Sequence, residues 1–462
     1  MAASVESASL AGQSQQADKG ESKPLTYLRQ VLALMLDPGL LARSGAGCYP
    51  ADVVAMAKRL LAEFPGASLG SYTHTGGQFA VRQLCADFLA RRDGGASQVD
   101  DVMVTCGSAE AVRLLLEGFG RRQSKPAAAL IPAPGRSMYA AFAHQVGVLP
   151  VPYRLTAPPT AGWQLAETEL EAAYRSAVEA GGEPRILVLL NPGRPTGQLL
   201  TAASLQLAAD FARRRRLFVI SDETLQFAQF YNEQQFVGFR QLVLEQQAAR
   251  PDLPPLEVAS VTSLSEGLCG GGDPGLRAGF CELLNLHPTA KAALLAVLSC
   301  TSCPPVLGQA ALAMSVSTPP GPDSPSHAGF AVELAAAAGS LRRKAALTGR
   351  ALLESGAAIL APMPSAGGRI CPMMAGPPAG WLRSVSAAEP ADAAYCRAAL
   401  QVVADKDCHN WLLPGSHFGL KPRLADGGFF VSISIKCSEQ VLLERLNRLI
   451  AFHRSLLERY AE

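Results

Sequence analysis

The stretch Arg185-Ile186-Leu187-Val188-Leu189-Leu190-Asn191-Pro192-Gly193 decides the fold. A short, almost wholly apolar run that stops at an Asn-Pro-Gly turn reads as a buried strand. The pattern recurs on both sides. Val102-Met103-Val104-Thr105 runs into Cys106-Gly107-Ser108-Ala109-Glu110 and then an apolar helical stretch from Ala111 to Phe119. Ala129-Leu130-Ile131 ends at Pro132, Leu217 to Ile220 ends at Ser221-Asp222-Glu223, and Val258 to Val261 ends at Thr262-Ser263. Helical periodicity fills most of the gaps. Buried strands alternating with helices imply an α/β unit with a mostly parallel sheet. In such sheets ligands bind beyond the carboxyl ends of the strands, and every turn just named sits at one.

Outside this unit, helical spacing marks Pro24 to Leu36, Met56 to Phe64 and Phe79 to Arg91. Ser315 to Gly329 is dense in Pro, Ser and Gly and reads as a linker. An alanine-rich helix follows, Phe330 to Leu353, and a C-terminal helix is expected from Glu439 to Tyr460. The expected organisation is a disordered head (1–22), N-terminal helices joining the smaller domain (23–67), a large domain (68–314), a linker (315–329) and a small α+β domain (330–462).

The chain has 462 residues, 48% of them hydrophobic, and a net charge of +2. A charge that small gives no reason to expect nucleic acid or a membrane surface as partner. The run Arg213-Arg214-Arg215-Arg216 is local and reads as a solvated helix end. No apolar stretch is long enough to span a bilayer, and the N-terminus lacks a secretory or transit pattern. Among eleven cysteines only Cys300 and Cys303 form a C-x-x-C pair. No second pair completes a metal site, so ordinary buried thiols in a reducing compartment are expected. That points to the cytoplasm; a ciliary or cytoskeletal assembly has no support in the sequence.

Three strand-end features carry chemistry. Asp222 closes a buried strand, where a carboxylate could keep a pyridine nitrogen protonated. Arg277 follows the glycine-rich stretch Gly270 to Gly275 and could grip a phosphate with two parallel hydrogen bonds. Gly107-Ser108-Ala109 opens a helix whose N-terminal amides could receive the same phosphate. Each feature alone is also an ordinary cap or turn.

Together and in order, the motifs resemble a known family. Lys23 to Leu34, Ser68-Leu69-Gly70-Ser71-Tyr72, Arg91-Arg92-Asp93-Gly94-Gly95 and Asn191 to Gln198 are similar to alanine aminotransferases. So are Ser221-Asp222-Glu223, Cys303-Pro304-Pro305-Val306-Leu307-Gly308-Gln309-Ala310 and Leu413-Pro414-Gly415-Ser416-His417-Phe418-Gly419. The resemblance covers residue 23 to the end. It implies the fold-type I architecture of pyridoxal phosphate (PLP) enzymes: a large domain with a mostly parallel seven-stranded sheet, a smaller α+β domain, and a homodimer. It also implies that Gly107, Ser108, Asp222 and Arg277 bind cofactor, and that Tyr72 reaches the phosphate of the neighbouring subunit's cofactor.

Several positions depart from the family pattern. The family's Ser-x-Ser-Lys-Gly stands here as Ser263-Leu264-Ser265-Glu266-Gly267, so Glu266 takes the place of the lysine that bonds to the cofactor. Lys291 is the nearest lysine in sequence, and no family motif places it in the site. Arg194 replaces a ring-binding asparagine, Leu225 a ring-binding tyrosine, Arg136 the aromatic that stacks on the ring, and Ala109 a serine of the phosphate turn. Val431 aligns with the arginine that grips the substrate carboxylate. The family's N-terminal arm is expected to be absent.

These departures lead to the expectation of a catalytically inactive, aminotransferase-like binding or structural subunit. It would carry no cofactor and no metal, would be a homodimer or part of a larger assembly, and its altered pocket would be filled by Arg136 and Arg194 pairing with Asp222 and Glu266. Two alternatives stay open. One is a PLP enzyme of lysine-free chemistry with Glu266 moving the proton, or a residual alanine/2-oxoglutarate aminotransferase. The other is a small-anion site built on Arg136, Arg194 and Arg277.

Overall fold

The computed structural model describes residues 25–43, 47–120, 125–156, 162–230, 235–266, 274–386, 388–403, 410–421 and 428–460. The expected disordered head and most of the glycine-rich stretch before Arg277 lie outside them. Seven strands form the large sheet: β1 (Val102–Thr105), β2 (Ala127–Ala133), β3 (Leu149–Arg154), β4 (Glu183–Leu190), β5 (Phe218–Asp222), β6 (Val258–Ser263) and β7 (Gly279–Leu284). Their order is β1-β7-β6-β5-β4-β2-β3. β2 to β6 pair in parallel, and β7 runs antiparallel to both β1 and β6. β1 and β6 therefore point the same way. The carboxyl ends of β1, β2, β4, β5 and β6 meet along one edge, together with the amino end of β7.

Two of these strands are absent from the sequence reading. β3 contains Pro150 and Pro152, which only an edge strand tolerates, and it pairs on one side alone. β7 carries Glu282, almost wholly buried, whose charge hides the strand from an apolar pattern. The charge is tolerated because Arg240, also buried, donates to it at 2.6 Å.

Apolar clusters cover both faces of this sheet, one built on Leu187, Leu189 and Val219, the other on Ile186, Val188 and Ile220. The helices Thr26–Leu36 and Ala51–Ala62, expected to join the smaller domain, share their core with Val102, Val104 and Phe280 of the large sheet; Phe330 reaches into the same cluster. The basic run ends the helix Ala202–Arg215, where cations favour the carbonyl end. Arg214 pairs with Glu167 and Arg215 with Glu171, as a solvated helix end requires, but the Arg213 side chain is mostly buried.

The smaller domain holds β8 (Ala358–Leu360), β9 (Arg369–Ile370), β10 (Met373–Ala375), β11 (Leu412–Pro414) and β12 (Gly428–Ser434), ordered β11-β12-β10-β8 with β9 on β12. The long helix His327–Glu354 and the C-terminal helix Glu439–Arg459 pack on them. Among the described residues no helix is long and apolar enough to cross a membrane.

In the small-domain core the Tyr395 hydroxyl meets His453 Nδ1 at 3.0 Å, and His453 Nε2 finds no partner among the described residues. Burial lowers the His453 pKa to about 4. Unfolded histidine titrates near 6.5. Stability is therefore complete above pH ~6.5 and is lost as pH falls from ~6.5 towards ~4, by about 3 kcal/mol in all. Urea unfolding between pH 4 and 7 should show His453→Gln losing less stability on acidification than the parent; equal slopes would contradict this assignment.

Candidate functional site

The site lies where the strand ends converge. At the end of β1, Gly107 adopts φ +92°, a conformation that favours glycine, and the helix Ser108–Gly120 starts at once. Arg277, before β7, reaches back across this turn. Its Nη2 donates to the Cys106 carbonyl at 2.9 Å and lies 3.4 Å from where a Gly107 Cβ would stand. Arg277 itself has φ +53°, a strained setting for arginine. Gly308 makes room for it, since a Cβ there would come within 2.4 Å of the Leu276 carbonyl and 2.9 Å of Arg277's own. The result is a cup with a guanidinium on one side, the Ser108 hydroxyl within it, and helix-start amides beneath, which suits a phosphate.

Asp222, with no exposed surface, ends β5. Its Oδ1 accepts from the Thr224 amide at 3.1 Å and from the Thr224 hydroxyl. Its Oδ2 accepts from Tyr139 Oη at 2.7 Å and Arg136 Nη1 at 2.9 Å. A carboxylate has about four acceptor positions, and the chain fills all four. Arg136 Nη1 also lies 3.2 Å from Ser108 Oγ, so one guanidinium joins the acid to the cup. Burial, and next the Asp222 charge, push the Tyr139 phenol well above its ordinary pKa, so it stays a donor.

A small-domain loop holds the Arg136 segment in place. Gly135 N donates to the Phe418 carbonyl at 3.0 Å, and Ser137 Oγ lies 3.2 Å from His417 Nε2. The Ser416 amide of that loop donates to Asp392 at 2.6 Å. Burial first, then the Arg369 and Arg194 guanidiniums, hold His417 below its ordinary pKa.

Behind the strand end, Glu223 faces the other way. It accepts from Arg92 Nη1 at 2.6 Å and from the Ser221 hydroxyl and the Phe239 amide, each at 3.0 Å. Burial raises its pKa despite Arg92.

The family model for aminotransferase class I and II matches residues 44–423. The chain belongs to the class I and II aminotransferases. Alanine aminotransferase 1 from Homo sapiens is 34% identical over 338 residues, 72% of this chain and 65% of that protein. The matched region is thus just under two thirds of the human relative's length. A protein from Dictyostelium discoideum named as a probable mitochondrial alanine aminotransferase is 31% identical over 445 residues, 95% of this chain and 79% of that one. The solved structure of an alanine aminotransferase from Pyrococcus furiosus superposes with a TM-score of 0.68 at 17% identity, covering 98% of this chain and 95% of that one, and so shows the fold.

These relatives overturn the expectation of an inactive binding or structural subunit. They carry aminotransferase names at substantial identity over most of this aminotransferase chain, and they point to an active enzyme. The expectation of no cofactor is corrected with it, because the family is one of PLP enzymes.

Of the residues singled out from sequence, the fold brings Gly107, Ser108, Arg277, Asp222 and Arg136 together. Ala109 is the second residue of the cup helix and adds no hydroxyl. Leu225 is buried, and a Cβ on Gly367 would stand 3.3 Å from its Cδ1. Arg194 is near enough to His417 to disfavour its protonation, while Arg136 makes the ion pair with Asp222. Glu266 closes a turn just after β6, on the same edge.

Tyr72 is 84% exposed and takes no part in the cluster. Val431, expected in the altered pocket, is instead fully buried in the small-domain core. Lys291 pairs with Asp101 at the amino end of β1, opposite to the cup. Cys300, expected to be buried, is exposed; both it and Cys303 are free. No group that could hold a metal occurs among the described residues.

Tyr139 and Thr224 escaped the sequence reading. Tyr139 follows Arg136 by one helical turn, the only signal that could have paired them. Tyr139→Phe should cost about 1 kcal/mol, since three donors still serve Asp222. Asp222→Ala should cost about 3 kcal/mol or more by removing the Arg136 ion pair and leaving the buried Tyr139 hydroxyl without its acceptor. Urea denaturation of the two variants checks the order; equal losses would contradict it.

Proposed function

We propose that the protein is a PLP-dependent enzyme of the alanine aminotransferase family that holds its cofactor without a covalent bond. The cup of Gly107, Ser108 and Arg277 carries the reading, because it fits the phosphate end of that cofactor. The ring end fits only in part: Asp222 is a buried acid of the right kind, but Arg136 already uses one of its acceptor positions.

When bound, the cofactor ring withdraws electrons from a substrate carbon. The chain's own tasks are then distinct. Ser108, Arg277 and the helix-start amides bind phosphate. Asp222, held by Tyr139 and Thr224, offers its charge to the ring nitrogen. Glu266 has no amine and so makes no imine; as a carboxylate it can accept and return a proton. The names of the relatives support alanine as the amino donor, and 2-oxoglutarate is the acceptor that the family resemblance implies. The exposure of Tyr72 supports a homodimer; sedimentation showing only monomer at micromolar concentration would remove that part.

Without a covalent bond, dialysis should strip the cofactor, and alanine-dependent turnover should return only when it is added. Pyridoxamine 5′-phosphate, which forms no imine with lysines, should bind saturably, and Arg277→Ala should weaken it tenfold or more. Borohydride should fix added PLP at position 266 of Glu266→Lys and not there in the parent. Absence of saturable binding at millimolar cofactor would refute the reading.

A further inference from the structure

Arg136 touches both halves of the pocket. Its Nη1 lies 2.9 Å from Asp222 Oδ2 and 3.2 Å from Ser108 Oγ. The acid it occupies has no exposed surface, and the Arg136 side chain is 15% exposed. An aromatic nitrogen approaching Asp222 therefore meets a carboxylate whose acceptor positions are filled by Arg136, Tyr139 and Thr224. Thr224 lies in the turn that follows Asp222, and Tyr139 is fully buried on the helix Met138–Val146, so neither gives way. Arg136 sits in the turn before the helix Met138–Val146 and can.

We infer that Arg136 sets the pocket's specificity by competing with any cofactor ring for Asp222 while adding a second guanidinium to the phosphate cup. The inference rests on the proposed phosphate cup. A phosphate at Gly107–Ser108 has Arg277 on one side and Arg136 on the other, and two guanidiniums bind a phosphate dianion well whatever it is attached to. Seating a ring exchanges one charge-assisted hydrogen bond to Asp222 for another, so the ring nitrogen adds little net affinity. The pocket accordingly selects phosphate monoesters as a class, and selects weakly for the pyridine ring among them.

The loop contacts add a second element. Arg136 is flanked by Gly135, bonded to the Phe418 carbonyl, and by Ser137, bonded to His417. Movement of Arg136 away from Asp222 is thus coupled to the small-domain loop.

Calorimetric titration with pyridoxamine 5′-phosphate and with methyl phosphate, which has no ring, tests the inference on the full-length protein. The parent should bind the two within about threefold of each other. Arg136→Phe should tighten pyridoxamine 5′-phosphate at least tenfold and weaken methyl phosphate. Arg136→Gln, which disturbs packing less, should move the ratio in the same direction. A parent that prefers the ring-bearing ligand more than tenfold, or a ratio unchanged in both variants, would overturn the inference. Binding of neither ligand to any variant would remove the phosphate cup, and this inference with it.

Discussion

The pocket is organised by one saturated carboxylate. Asp222 is fully buried at the end of a central strand, and a charge in that position is stable only if it is fully hydrogen-bonded. Thr224 satisfies it from the turn just after it, Tyr139 from the helix beyond β2, and Arg136 from the turn that begins that helix. The neighbouring residue, Glu223, is fixed to the opposite side by Arg92, Ser221 and Phe239. The strand end is therefore held from both sides, and the sheet edge places a fully hydrogen-bonded acid next to the cup of Gly107, Ser108 and Arg277.

Much of this could be read in the sequence. Val102–Thr105, Arg185–Leu190 and the turns after them announce the strands by apolar runs ending in Gly, Pro or Asp, and the fold follows from their alternation with helices. The cup could be read as well, because Gly107 and Arg277 each belong to a local pattern. What escaped was decided by distant contacts. β7 is hidden by Glu282, a charge made tolerable only by Arg240 from another helix. Tyr139 has no sequence signal pointing to an acid 83 residues away. Val431 illustrates the opposite error: alignment placed it in the pocket, while strand alternation turns it into the small-domain core.

Function was legible as a family and misread as a state. The departures at Glu266, Arg136, Arg194, Leu225 and Ala109 suggested a dead pocket, yet the relatives point to an active enzyme. The two observations meet if the cofactor is retained through its phosphate and its covalent anchor is dispensed with. In that proposal the retention depends on Arg277, which is strained and supported by Gly308. In the same proposal Arg136 tunes how firmly the rest of the cofactor is seated.

The central claim is that the chain's own groups fill Asp222. A crystal structure of the ligand-free protein, at a resolution that places guanidinium groups, tests it most directly. The account requires Arg136 Nη1 and Tyr139 Oη both within hydrogen-bond distance of Asp222 Oδ2, with Arg277 over Gly107. An Arg136 side chain turned to solvent, with water on Asp222 in its place, would contradict it.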